Sequence, residues 1–137
     1  MAAPPELLKS VPLFSDLHGR DLELLAASFK ERRFDEGETV ASEGSTGIGF
    51  FVIGEGEVGV TVHGTERATL GPGDYFGEVA LIDEGARSAS IVAKTPLTAY
   101  GLTAWEFRPF VENNGKVAWK LLQTLAKRLR AAEQRET

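Results

Sequence analysis

Eleven of the fifteen glycines in this 137-residue chain fall between Gly37 and Gly77. Their spacing limits the segments between them to a few residues each. Those segments are Phe50-Phe51-Val52-Ile53, Val58-Gly59-Val60-Thr61-Val62 and Ala68-Thr69-Leu70, rich in the aromatic and β-branched side chains that strands favour. Glu36-Gly37-Glu38, Gly54-Glu55-Gly56-Glu57 and Gly71-Pro72-Gly73-Asp74 punctuate them as turns. Strands resume at Ser88–Ala93 and Leu97–Leu102. Short strands at this spacing predict a compact antiparallel barrel or sandwich.

Both ends of the chain carry helical signals. Leu7 to Phe14 reads as a helical turn stopped by Pro12, after which Ser15 or Asp16 is placed to cap a helix through Asp21–Ala27. Val79-Ala80-Leu81-Ile82 allows only a short helical turn after Gly77. Thr103-Ala104-Trp105-Glu106 is a capping-box pattern opening a helix that Pro109 is expected to kink or end. After Asn113-Asn114-Gly115, a final helix carries Val117, Leu121, Leu125, Leu129 and Ala132 at helical spacing, with Trp119, Leu122 and Ala126 widening the stripe. Trp105 and Trp119 lie on these stripes and are expected in the core. The predicted architecture is mainly β with helical ends: an antiparallel β-roll of the double-stranded jelly-roll type, flanked by N-terminal helices and two C-terminal helices. One domain is expected over 1–137, with the roll over about 29–102 and the C-terminal helices over about 103–134.

Composition narrows the chemistry. No cysteine is present, which excludes disulfides, thiolate metal sites and cysteine nucleophiles. His18 and His63 show no ligand spacing and read as surface or packing residues. No apolar run approaches the ~20 residues of a membrane helix, and no secretory signal is visible, so a cytoplasmic location is expected. Net charge is −5, yet Gly115 to Thr137 holds six Lys/Arg against two Glu. That basic stretch reads as the solvated face of a helix, because the acidic remainder would repel phosphates of a nucleic acid.

Within Gly73 to Ser90, Arg87 is the sole cation between Arg67 and Lys94. Gly77 lets another group approach the backbone closely, and free N–H groups at the start of the following turn attract anions. Glu78 can accept hydrogen bonds from paired hydroxyls, such as those of a ribose. Arg87 offers a permanent, planar charge suited to a phosphate, with the Ser88 hydroxyl beside it. Together these suit a small ligand with one phosphate and a sugar hydroxyl.

Glu36–Val40, Phe50–Ile53 with Gly56-Glu57-Val58, Gly71–Glu78 and Arg87-Ser88-Ala89 occur in the order and spacing of cyclic nucleotide-binding domains. The chain resembles this family, that of the catabolite activator protein and the protein kinase A regulatory subunits, from about Leu7 to about Leu129. The resemblance implies a phosphate-binding cassette over Phe76 to Ser90, with Glu78 on the ribose 2′-hydroxyl and Arg87 on the cyclic phosphate. Gly77 and Ala80 would lend backbone contacts, and Ser88 would bind the phosphate or the base. Val60, Arg67 and Ala68 match pocket-wall positions on neighbouring strands, and Phe76, Val79 and Ala89 complete the expected ligand-binding residues. The proline that relatives often carry before the arginine is here Ala86. Leu129 to Gln134 holds no Ser or Thr, so base recognition is expected to differ from that of the catabolite activator protein.

The function expected on this basis is a sensor of cyclic AMP, with cyclic GMP as the alternative, signalling through its C-terminal helices to an unidentified protein partner. A homodimer through the last helix is a further expectation. No catalytic motif, cofactor or metal site is expected, nor nucleic-acid binding without a helix-turn-helix segment. The alternatives are a module of the same fold that serves dimerisation without ligand, or a ligand domain cut from a larger regulator or channel.

Overall fold

The computed structural model describes residues 2–42, 44, 49–82 and 89–136, the side chains of 79, 80, 135 and 136 excepted. The elements are α1 (Pro5–Ser10), a 3-10 turn (Pro12–Phe14), α2 (Gly19–Ser28), β1 (Lys30–Phe34), β2 (Thr39–Ala41), β3 (Gly49–Glu55), β4 (Val58–Val62), β5 (Thr65–Leu70), β6 (Tyr75–Phe76), α3 (Glu78–Ile82), β7 (Ser90–Ala93), β8 (Leu97–Thr103), α4 (Ala104–Glu112) and α5 (Gly115–Glu136). Two four-stranded antiparallel sheets result, ordered β1-β8-β3-β6 and β2-β7-β4-β5. This is the expected roll with helical ends.

β3 explains why the run Phe50-Phe51-Val52-Ile53 lacks alternation: both of its faces are covered. Phe50 and Val52 pack with the helices and Tyr100 and Leu102 of β8, while Phe51 and Ile53 face Val58, Phe76, Ile91 and Leu97 between the sheets. A strand buried on both sides carries apolar residues continuously. Around Phe50 the rings of Phe14, Phe29, Tyr75 and Phe107 lie with centroids 5.2–6.2 Å away. Gly56 turns β3 into β4 at φ +92°, and a Cβ there would collide with the Pro96 carbonyl. Only glycine meets both conditions.

At the ends, several expectations need correction. α2 starts at His18 without a side-chain cap. Ser15 and Asp16 are used otherwise: the Ser15 hydroxyl donates to the Pro12 carbonyl, and Asp16 pairs with Lys120 of α5 at 3.2 Å. Lys120 Nζ also donates to Pro12 O (3.0 Å) and Ser15 Oγ (2.5 Å). α4 continues through Pro109 to Glu112 and does not end there. Trp105 and Trp119 are 77% and 62% exposed, not core. On α5, Val117 and Leu121 are buried, whereas Leu122 and Leu129 are exposed. The helix docks by its first turns and turns much of its apolar stripe to solvent.

The capping box at Thr103 is present. Its N–H and hydroxyl both donate to Glu106 Oε1, at 3.2 and 2.6 Å. The hydroxyl bond first, then the backbone bond, holds the Glu106 carboxyl below its ordinary 4.5.

Two outcomes are expected from unfolding in urea. Phe50→Ala should cost about 3–5 kcal/mol; a loss under about 1 kcal/mol would show that this ring does not join the helical layer to the sheet. Thr103→Ala should cost about 1 kcal/mol at neutral pH. Because Glu106 titrates lower in the folded state, its stabilisation is complete above pH 4.5 and is lost as pH falls through the folded value. The variant and the natural chain should therefore converge in acid, and a gap that widens there would refute the assignment.

Candidate nucleotide site

The site is delivered by a turn, a two-residue strand and a glycine. The Gly71 N–H donates to the Asp74 carboxylate (2.9 Å) and the Asp74 N–H to the Gly71 carbonyl (3.0 Å), closing the turn that leads into β6. β6 pairs with β3 in the register Val52↔Tyr75 and Phe51↔Phe76, and the Phe51 and Phe76 rings stack at 5.3 Å. Phe76 is thereby fixed in the inner core. Gly77 follows at φ 100°, a conformation that glycine adopts without strain, and the chain enters α3 at Glu78.

Glu78 is 3% exposed. A buried carboxylate is costly unless it is paired and hydrogen-bonded. Its partner comes from α5: Arg128 Nη1 donates to Glu78 Oε1 at 2.8 Å, while the rest of the arginine side chain stays half exposed. The second oxygen, Oε2, is buried and has no hydrogen-bond partner among the described residues. One turn before Arg128, the Thr124 hydroxyl donates to the Lys120 carbonyl (3.0 Å), and Thr124 lines one cavity with Tyr75 and Arg128. Burial raises the Tyr75 hydroxyl above its ordinary 10.0; the nearby Thr124 hydroxyl opposes this, and the Glu78 charge adds to it. Thr124 and Arg128, four apart, thus lay one face of α5 against β6 and α3.

The opposite wall belongs to the second sheet. Val60 of β4 pairs with Ala68 of β5 and with Ile91 of β7. Val60 packs partly buried against the core that also holds Phe76, so these two residues border one interior. Arg67 and Ala68 are exposed. Ala89 is half-buried and immediately precedes β7, whose Ser90 pairs with Thr61. Val79 and Ala80 form the first turn of α3 with Glu78. Arg87 and Ser88 lie outside the described residues.

The structure therefore sets Phe76, Gly77, Glu78, Val79 and Ala80 along one segment and packs Val60 against the core that holds Phe76, while Ala89 stands just before β7. Sequence reasoning missed Tyr75, Thr124 and Arg128. It looked for hydroxyls between Leu129 and Gln134 and took the basic stretch of α5 as solvated. One signal was available: a carboxylate entering a core needs a cation, and Arg128 shares a helix face with Thr124.

Comparison with known proteins bears on the family and the fold. The family described as cyclic nucleotide-binding domain matches residues 31–114. The chain is 34% identical to the cyclic AMP receptor protein of Thermus thermophilus, over 92% of this chain and 61% of that protein. It is 41% identical to the cAMP-dependent protein kinase regulatory subunit of Yarrowia lipolytica, over 66% of this chain and 24% of that one. The chain thus spans less than two thirds of the length of either relative. The crystal structure of the Thermus thermophilus catabolite activator protein superposes with a TM-score of 0.82 at 34% identity, covering 90% of this chain and 61% of that structure. With its roll, its glycine-introduced buried glutamate and this match over most of the roll, the chain belongs to the cyclic nucleotide-binding domain family.

Proposed function

We propose that this chain is a cyclic AMP sensor whose last helix reports on ligand. The observation that carries the reading is Glu78 Oε2, a buried acceptor without a donor among the described residues. Leaving such an atom unsatisfied costs about 1–3 kcal/mol, and more when it is charged. A ribose 2′-hydroxyl would supply the missing donor. Arg87, between α3 and β7 in the sequence, would meet the cyclic phosphate, and Ser88 its neighbouring oxygen or the base. Gly77, Val79 and Ala80 would offer backbone groups. Val60, Phe76 and Ala89 would line the apolar wall.

Arg128 supports a role for α5 in the readout, because this helix already touches the residue that would hold the ribose. No helix among the described residues is long and apolar enough to cross a membrane. A cytoplasmic regulatory module without catalysis of its own accords with these features. Its similarity to receptor and regulatory-subunit proteins longer than itself supports a role passed on through a protein partner.

The same ion pair favours a second reading. If Arg128 satisfies Glu78 permanently, the roll serves as a scaffold for association and binds no nucleotide. Association has its own support in α5. Trp119, Leu122 and Leu129 are all exposed, and with Ala126 they follow a 3-4-3 spacing. That spacing makes a seam for a like helix, so we infer a homodimer through this face.

Calorimetric titration with cyclic AMP and cyclic GMP separates the readings. Cyclic AMP should bind more tightly than cyclic GMP. Arg87→Ala should lose on the order of 2–4 kcal/mol of binding, and Glu78→Gln should also bind more weakly. Absence of sub-millimolar binding for both nucleotides, or an unchanged Arg87→Ala affinity, would sink the sensor. In sedimentation velocity the natural chain should run as a dimer and Leu122→Glu with Leu129→Glu as a monomer. A natural chain that stays monomeric at high concentration would remove the dimer.

A further inference from the structure

The two halves of α5 are fastened by different physics. Its first turns are held by burial, with Val117 and Leu121 at 1% and 3% exposure. They are also held by Lys120, whose ammonium meets three acceptors in and just after the 3-10 turn: Pro12 O, Ser15 Oγ and Asp16 Oδ2. Beyond Leu121, no residue from Leu122 to Gln134 is buried. That distal half meets the site through the Arg128 bond to Glu78, with Thr124 beside Tyr75 in the same cavity wall. Lys120 and Arg128 are eight residues apart, about 12 Å along the helix.

From this asymmetry we propose that Lys120 is a positioning residue that makes the 3-10 segment and the base of α5 one rigid body, so that α5 opens and closes only beyond Leu121. The 3-10 segment has reason to accept the ammonium. The Pro12 carbonyl takes the ammonium together with the Ser15 N–H and hydroxyl, and Asp16 lies next to it as a counter-charge. Removing Lys120 strips the donor from these acceptors while leaving Val117 and Leu121 in place. Removing Arg128 frees only the distal half. A ligand donor on Glu78 Oε2 can arrive with Arg128 still on Oε1, since the two oxygens are distinct. Such a ligand tightens the distal half without moving the base. This last consequence rests on the nucleotide reading; the pivot itself does not.

Hydrogen–deuterium exchange on the full chain tests both parts. Without nucleotide, Arg128→Met should speed exchange in residues 124–134 by about 10- to 100-fold, the loss of a charge-assisted bond, and leave 116–121 unchanged. Arg128→Lys should restore part of the protection. Lys120→Met should speed exchange in 12–17 and 116–121 by about threefold. Unchanged β3 amides report that each variant is folded. The pivot is overturned if Lys120→Met leaves 12–17 and 116–121 at natural rates, or if Arg128→Met loosens the whole helix evenly. Within α5, saturating cyclic AMP should slow exchange in 124–134 alone. Slowing along the full length of α5 would overturn the pivot and leave the nucleotide reading intact. If cyclic AMP neither binds nor slows exchange, the nucleotide reading fails, and the two variants still decide the pivot.

Discussion

Every packed layer of the molecule meets at β3. Its hydrogen bonds join β8 on one side and β6 on the other, and its side chains fill the helical layer and the interior of the roll. A strand that is apolar on both faces cannot slip by one residue without exchanging Phe50 for Phe51 across two differently shaped cores. Its register therefore fixes that of β6, and through β6 the position of Gly77 and Glu78. The site is held by packing long before any ligand contact is considered.

On that frame the dominant electrostatic fact is a carboxylate in an apolar surrounding. Burial forces Glu78 to find a cation, and the nearest one offered by the described residues belongs to a helix fifty residues away. The pairing is one-sided, since one oxygen is served and the other is not. An apolar replacement would pack at least as well, so the burial of this pair is not explained by stability. The same contact joins the site to the one element that also carries an exposed apolar seam.

Much of this was legible in the sequence, for reasons that differ by element. β3, β4 and β8 announce themselves through aromatic and β-branched runs between turn residues, and the Thr103–Glu106 box opens α4 where its spacing says it should. β1 escaped notice because Lys30-Glu31-Arg32-Arg33-Phe34 has a single apolar residue; its pairing with β8, not its own composition, makes it a strand. α5 was visible as a helix, but which side it buries was not. Periodicity gives a stripe and no direction, and here the outward part includes Trp119 and Leu129. Glu78 stood out beside its glycine, whereas Arg128 did not, since an ion pair across fifty residues leaves no local pattern.

The arrangement of the sheets has a consequence for colloidal behaviour. Each of the four edges is unsuited to recruiting a further strand. β1 presents four consecutive charged residues, β6 is two residues long, β2 is three residues long with an irregular register, and β5 is exposed along Thr65 to Thr69 and carries Glu66 and Arg67. Short, charged and bulged edges are what keep sheets from polymerising side by side. A chain built from many brief strands is thereby protected from open-ended growth into fibres.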